Sequence, residues 1–462
     1  MANRDLTSGD PGRVIRSYCL PLFGSVFFQQ LYHLADSFVA GRFIGEDALA
    51  AVGNSYEITL IFLAFAFGCN TGCSILVSRH FGAKNYGKVK TAISTSLIAT
   101  ACTCAVLLAA GAILAVPILR AIQTPAEIFD DSLTYLQIYL CGLVFLFFYN
   151  VSNGIFSALG DSKTPFLFLA ASSTANIALD ILLVAKFRMG VAGVGLATLF
   201  CQGAACIPAL IIVAKKILAL PVGNSPFFTL SMLKEFIFVA APSVLQQSFV
   251  AAGNVIVQGV VNSYGAAVAA GFSAAIKMNN LATSCFSTIG SGITNYTSQN
   301  LGAGQPRRVQ AGFKVSIQFV WTISLAICLL YELFPVQLMR LFMDAPSATA
   351  LQTGVSFLRI VAIFYFAASF KIMCDAFLCG AKLMRYVVFS IFLDLGLRAG
   401  TAVLCSCVFH RAFSVWLAWP IGWSIAAAVT YSLYAKAAKA EFLWPHKQLL
   451  PARQIKEGKT GG

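Results

Sequence analysis

Two aspartates, Asp36 and Asp180, stand inside stretches that are otherwise almost wholly apolar. A carboxylate in such a stretch costs about 3 kcal/mol or more to insert into lipid, so its presence points to a task, such as binding a cation or carrying a proton. Asn176 precedes Asp180 by one helical turn, which puts an amide oxygen and a carboxylate on the same helix face. Thr198 offers a hydroxyl from the next stretch. The four side chains make an oxygen-rich corner that suits a Na+ ion as its metal. They suit a proton equally, because two close carboxylates in a low dielectric repel and one of them then favours its protonated form. The coupling ion expected is therefore H+ or Na+, with no other cofactor. His33 reads as a packing histidine beside Asp36, and Glu57 as lining either a cavity or an outer interface.

The elements that must position these residues are membrane helices. The chain of 462 residues is 58% hydrophobic and 11% charged, against about 25% charged in soluble domains, and its mean hydropathy is +0.79. Apolar stretches recur near 14–41, 49–80, 90–116, 127–158, 164–187, 191–216, 234–262, 268–300, 308–334, 349–378, 384–409 and 412–438. Each is long enough to cross a hydrocarbon core of ~30 Å at 1.5 Å per residue. The fold class expected is all-α integral membrane, with twelve transmembrane helices in two six-helix bundles related by a parallel repeat. Counted from Gly41, Lys186 and Val191, the residues Asp36, Asp180 and Thr198 all lie about 8–11 Å from the same membrane face, so the first, fifth and sixth helices are expected to meet there. The polar start lacks a cleavable signal, and the 14 cysteines read as small hydrophobes.

The net charge of +14 is a matter of topology. Arg4, Arg13, Arg16, Arg79, Lys84, Lys88, Lys90, Lys215, Lys216, Arg307, Arg308, Lys314 and the basic residues of the C-terminal tail fall on one side of the predicted spans, and only Arg42, Arg120, Lys186, Arg188, Arg340 and Arg411 on the other. The positive-inside rule then puts both termini in the cytoplasm. The basic charge implies no nucleic acid partner. Gly82-Ala-Lys-Asn-Tyr-Gly87-Lys88 has the spacing of a phosphate loop, yet it joins two membrane helices and is followed by Val89, where a magnesium-binding Ser or Thr is required.

The two halves match at an offset of 220 positions: Gly45 with Gly265, Gly72 with Gly292, Ser78 with Ser298, Gly82 with Gly302, Lys88 with Arg308 and Gly160 with Gly380. Six spans separate the repeats, so both halves start on the same side and are related by an axis along the membrane normal. The expected domains are an N-terminal lobe at 1–217, a cytoplasmic linker at 218–233, a C-terminal lobe at 234–438 and a tail at 439–462.

Leu31-Tyr-His-Leu-Ala-Asp36-Ser-Phe-Val-Ala-Gly41, Ser78-Arg-His-Phe-Gly82-Ala83 with its echo Gln299-Asn-Leu-Gly302-Ala303, and Ala175-Asn176-Ile-Ala-Leu-Asp180 followed by Gly190-Val-Ala-Gly193-Val-Gly195 resemble the multidrug and toxic compound extrusion family over nearly the whole chain. The resemblance implies a multi-pass, V-shaped exporter of the bacterial plasma membrane. Such a protein moves organic cations and other amphipathic compounds against H+ or Na+. The resemblance also puts the coupling site on Asp36, Asn176, Asp180 and Thr198, with Tyr135 and Asn153 as neighbours. Gln246 and Gln247 are possible cavity residues, standing where some relatives carry an acid early in the seventh span. Its expected partners are a small-molecule cargo and the lipid bilayer; the protein is expected to be a monomer and not an enzyme.

In the second half the counterparts of Asp36, Asn176, Asp180 and Thr198 are Ile256, Gly396, Gly400 and Ala418. Coupling is therefore expected in the first lobe alone, while Asp375 and Asp394, each one turn from Lys371 or Arg398, are expected to be neutralised. Lys277 is a further base available from the eighth span. A flippase of lipid-linked precursors, or an exporter of one metabolite on the same fold, is the alternative reading. The flippase is expected to show a basic cluster, for which only Lys277, Arg359, Lys371 and Arg398 lie deep in spans. The dispersed histidines His33, His80, His410 and His446 argue against an intramembrane enzyme.

Overall fold

Backbone amides in lipid find partners only within their own helix, and among the described residues every apolar run is helical. The computed structural model describes residues 5–39, 44, 46–223, 225–341, 343 and 347–443; the side chains at 27, 30–39, 46, 47, 49, 50, 56, 57, 251, 252, 255 and 440–443 lie outside that description. The helices are α1 (Pro11–Val39), α2 (Glu46–Gly82), α3 (Tyr86–Ala121), α4 (Ala126–Ala158), α5 (Lys163–Asp180) with a π-helical turn (Ile181–Lys186), α6 (Gly190–Leu218), α7 (Leu230–Asn262), α8 (Ala266–Gly302), α9 (Pro306–Leu333), a short α10 (Pro335–Arg340), α11 (Ala348–Ile363), α12 (Tyr365–Gly380), α13 (Met384–Phe409), a short α14 (Ala412–Val415) and α15 (Ala418–Leu443). Among the described residues eight helices are long and apolar enough to cross a membrane, and nine with α11 and α12 counted as one span. Helices α1, α7 and α8 complete the twelve at 29, 33 and 37 residues. The polar content of α8, which includes Lys277, Asn279, Asn280, Asn295 and Asn300, sets it apart by composition.

The duplication is visible in the turns as well as the helices. Left-handed residues end corresponding helices in both halves: Lys84 (φ 54°) and Gly304 (φ 69°), Gly160 (φ 78°) and Lys382 (φ 62°), Arg188 (φ 54°) and His410 (φ 49°). A left-handed φ is costly for a residue with a Cβ, so its retention at four non-glycine positions marks turns whose geometry the helix packing dictates. Asp161 fixes one of them. Its carboxylate accepts from the Thr164 backbone N–H (3.1 Å), the Thr164 hydroxyl (2.8 Å) and the Lys216 ammonium at the end of α6 (3.0 Å). Burial opposes ionisation of this carboxyl, yet these donors outweigh it and hold Asp161 below its ordinary range.

Two features depart from the expected spans. The stretch 349–378, read as one helix, bends by 55° between α11 and α12 with no proline or glycine at the break. Side chains from neighbouring helices meet the break instead: the Trp321 indole N–H donates to the Phe366 carbonyl (3.2 Å), and the buried Tyr365 hydroxyl donates to Asn279 Oδ1 (3.2 Å). The second departure is the π turn, which starts at the residue after Asp180.

The lobes meet at the end where α2 and α8 finish. A Cβ on Gly82 would overlap the Gln299 carbonyl, and one on Gly302 would overlap the Arg79 carbonyl, so each helix crosses the other on a repeat-matched glycine. Ser78 Oγ donates to Asn295 Oδ1 (3.1 Å) and Ser298 Oγ to the Ile75 carbonyl (3.0 Å) in the same mirrored way. The first helix of each half leans on the other half. Tyr18, Cys19 and Leu22 of α1 press on Gly292 of α8, while Phe236 and Ala240 of α7 press on Gly72 of α2. Core packing follows: the inner part of α1 shares a core with α8, α9 and α12, and that of α7 shares one with α2, α3 and α4.

Candidate functional site

Helix α5 packs between α1 and α6, so the three helices that carry the predicted residues are neighbours. Asn176 and Asp180 are buried at 1% and 0% exposure on one face of α5, Thr198 of α6 is buried at 5%, and all three are engaged with neighbours. Tyr135 of α4 is buried in a small cluster with Val184, Val191 and Val194, one turn beyond Asp180 and Thr198. It therefore lies at the level of the site. Asp36 is on α1 three residues before its last described residue, and its side chain, like those of His33 and Glu57, is outside the described residues.

Asn153 is not brought to the same point. It follows Tyr135 by 18 residues on α4, which is about five turns and ~27 Å along the axis, so no single ion touches both. Gln246 is half-buried and Gln247 exposed on α7. Gln247 stands seven residues beyond Ala240, about two turns along the face of α7 that meets α2, and so overlooks the space between the lobes.

The repeat counterparts offer no such site. An added Cβ at Gly396 or Gly400 would meet nothing within 4 Å, and Ala418 is buried and apolar. The C-lobe charges instead form one neutral network: Lys371 Nζ lies 3.0 Å from Asp375 and 3.6 Å from Asp394, and Arg398 Nε lies 3.3 Å from Asp394. The expected one-turn pairs are present, and Lys371 joins them across α12 and α13. Lys277 is exposed and takes no part. Removing one partner of a buried network strands the other charge at a cost of about 3–5 kcal/mol. Asp375→Asn is therefore expected to lower the melting temperature measurably while leaving the ion dependence of transport unchanged, which thermal unfolding and proteoliposome flux would check.

Two repeated six-helix lobes, joined at one end, with Asn176, Asp180 and Thr198 buried in the first and Gly396, Gly400 and Ala418 at the matching positions of the second, define a two-lobe membrane transporter. The MatE family model matches residues 21–182 and again 242–404, two stretches that begin at Pro21 of α1 and Pro242 of α7. The chain belongs to the MatE family, the multidrug and toxic compound extrusion transporters. It is 29% identical to a probable multidrug resistance protein of Bacillus subtilis, YpnP, over 78% of this chain and 80% of that one. It is 25% identical to a protein of Shewanella oneidensis named FAD transporter, over 74% of this chain and 76% of that one. The fold superposes on an outward-facing multidrug resistance MATE transporter with a TM-score of 0.89 at 23% identity, covering 96% of this chain and 100% of that chain. The protein is thus a multi-pass efflux transporter.

Proposed function

We propose that the protein exports amphipathic organic compounds, organic cations among them, in exchange for H+ or Na+ taken up at Asp36, Asn176, Asp180 and Thr198. The observation that supports this best is the burial of Asn176 and Asp180 on one face of α5, at positions whose C-lobe counterparts are glycines. A carboxylate kept in one lobe and absent from its duplicate has a task that packing alone does not require. The basic end, where α2 and α8 cross, faces the cytoplasm, and the lobes then part toward the outside. Ion and cargo favour different lobe arrangements, since a ligand that binds both arrangements equally shifts neither.

The test is export of ethidium from proteoliposomes under separately imposed proton and sodium gradients, with wild type and Asp36→Asn compared. Export that follows one gradient and vanishes in the variant is the expected result and names the ion. Undiminished export by the variant overturns the site.

An exporter of one specific metabolite is the second reading; the Shewanella relative, by its name, carries FAD. Flipping of lipid-linked precursors loses support, because two of the four deep bases, Lys371 and Arg398, are neutralised by Asp375 and Asp394.

A further inference from the structure

Helix α8 carries a cation that has no counter-ion among the described residues. Lys277 is exposed, stands ~16 Å along the helix from its start at Ala266, and makes no ion pair among the described residues. An exposed base at that depth faces either lipid or a water-filled space. Helical spacing decides which. Lys277 precedes Asn295 by 18 residues, five turns, and so lies on the same line of the helix surface; Gly302 falls close to that line. Asn295 and Gly302 both touch α2 of the other lobe. Lys277 therefore looks across the gap between the lobes.

The rest of this face is polar. Asn280, Ser287 and Ser291 are exposed and lie within about a quarter turn of the Lys277 line, and Gln247 joins them from α7. On α2 the counterparts of Asn280 and Ser287 are the apolar Leu60 and Phe67, half-buried and exposed respectively, while those of Lys277 and Ser291 are Glu57, whose side chain lies outside the described residues, and Thr71. Duplication has left Leu60 and Phe67 as an apolar stretch of α2 where α8 carries hydrogen-bonding side chains beside Lys277.

We infer that the cargo of the exporter proposed above includes, beside organic cations, amphipathic compounds bearing a carboxylate or phosphate, which Lys277 binds while the apolar part of the cargo lies on Leu60 and Phe67. This rests on the exporter reading for transport, but the binding preference can be measured without transport. A charge-assisted contact is stronger than a neutral one and discriminates by roughly tenfold or more.

Two matched dye pairs test it: rhodamine 6G, an ester, against its free acid, and riboflavin against riboflavin phosphate. Purified wild-type protein is expected to bind the free acid, the phosphate or both about tenfold more tightly than the uncharged-group partner, and the pair that responds tells carboxylate from phosphate. Lys277→Gln removes the preference and Lys277→Arg restores it, with melting temperatures unchanged because the side chain is exposed. No preference in the wild type, or the same preference in Lys277→Gln, overturns the inference. Intact preference without gradient-driven flux of any dye overturns the exporter reading and leaves the role of Lys277 standing.

Discussion

Asp180→Asn is expected to abolish ion-driven export while leaving the protein at least as stable as the wild type. The substitution keeps side-chain volume and hydrogen-bonding capacity and removes only the charge. An amide cannot take up and release a proton at physiological pH, so with H+ as the coupling ion the driven flux falls to zero. With Na+, the loss is one charged ligand, a contribution of about 1.5–3 kcal/mol and thus roughly 10- to 150-fold in affinity. Stability moves the other way, because a fully buried position that no longer holds a carboxylate carries a smaller desolvation cost. Paired with Asp375→Asn, the experiment separates coupling from scaffolding: one variant loses flux and keeps its melting temperature, the other keeps ion dependence and melts earlier. Gradient-driven efflux and thermal unfolding on the same preparations check this. The reverse pattern would move coupling to the C-lobe network.

Much of this architecture can be read from the sequence, because lipid leaves few options. Composition dictates helices, and the 220-position offset is enough by itself to expose the duplication. Asn176 and Asp180 are legible for a similar reason: polar side chains one turn apart in an apolar run share a face whatever surrounds them. The features that stay hidden depend on neighbours distant in sequence. The break at Phe364 sits in Ile363-Phe364-Tyr365-Phe366, which has no helix-breaking residue; its partners Trp321 and Asn279 come from α9 and α8. The π turn after Asp180 has no local signal either. Asn153 shows the limit of carrying a motif over one residue at a time, since it shares a helix with Tyr135 but lies ~27 Å from it along α4. Lys277 is visible in the sequence as a base within a span. That it faces the other lobe follows only from the contacts that Asn295 and Gly302 make with α2.

Those contacts set the second large effect. Gly302→Val places a side chain against the Arg79 carbonyl, and Gly82→Val places one against the Gln299 carbonyl. Backbone oxygens on rigid helices cannot turn aside as a side chain end can, so α2 and α8 must part at their crossing. Overpacking of this kind costs typically 1–3 kcal/mol, and at the upper end a two-state equilibrium shifts by about 150-fold. The cost falls only on the arrangement in which the crossing is closed, so each variant is expected to fold, to bind dye in the cleft, and to lose most of its export. Lys277 is 25 residues up α8 from Gly302, ~37 Å away, which keeps binding independent of the change. Cys19 reports the opening, being fully buried in α1 against Gly292 of α8. Its alkylation by a membrane-impermeant maleimide from the basic side should rise at least tenfold, read by peptide mass spectrometry. Because the two glycines serve one crossing, the double variant should behave like either single one: once the helices are apart, the second valine meets no carbonyl. Additive effects of Gly82→Val and Gly302→Val would mean two separate contacts, and unchanged thiol reactivity with normal export would mean that this crossing does not hold the basic end shut.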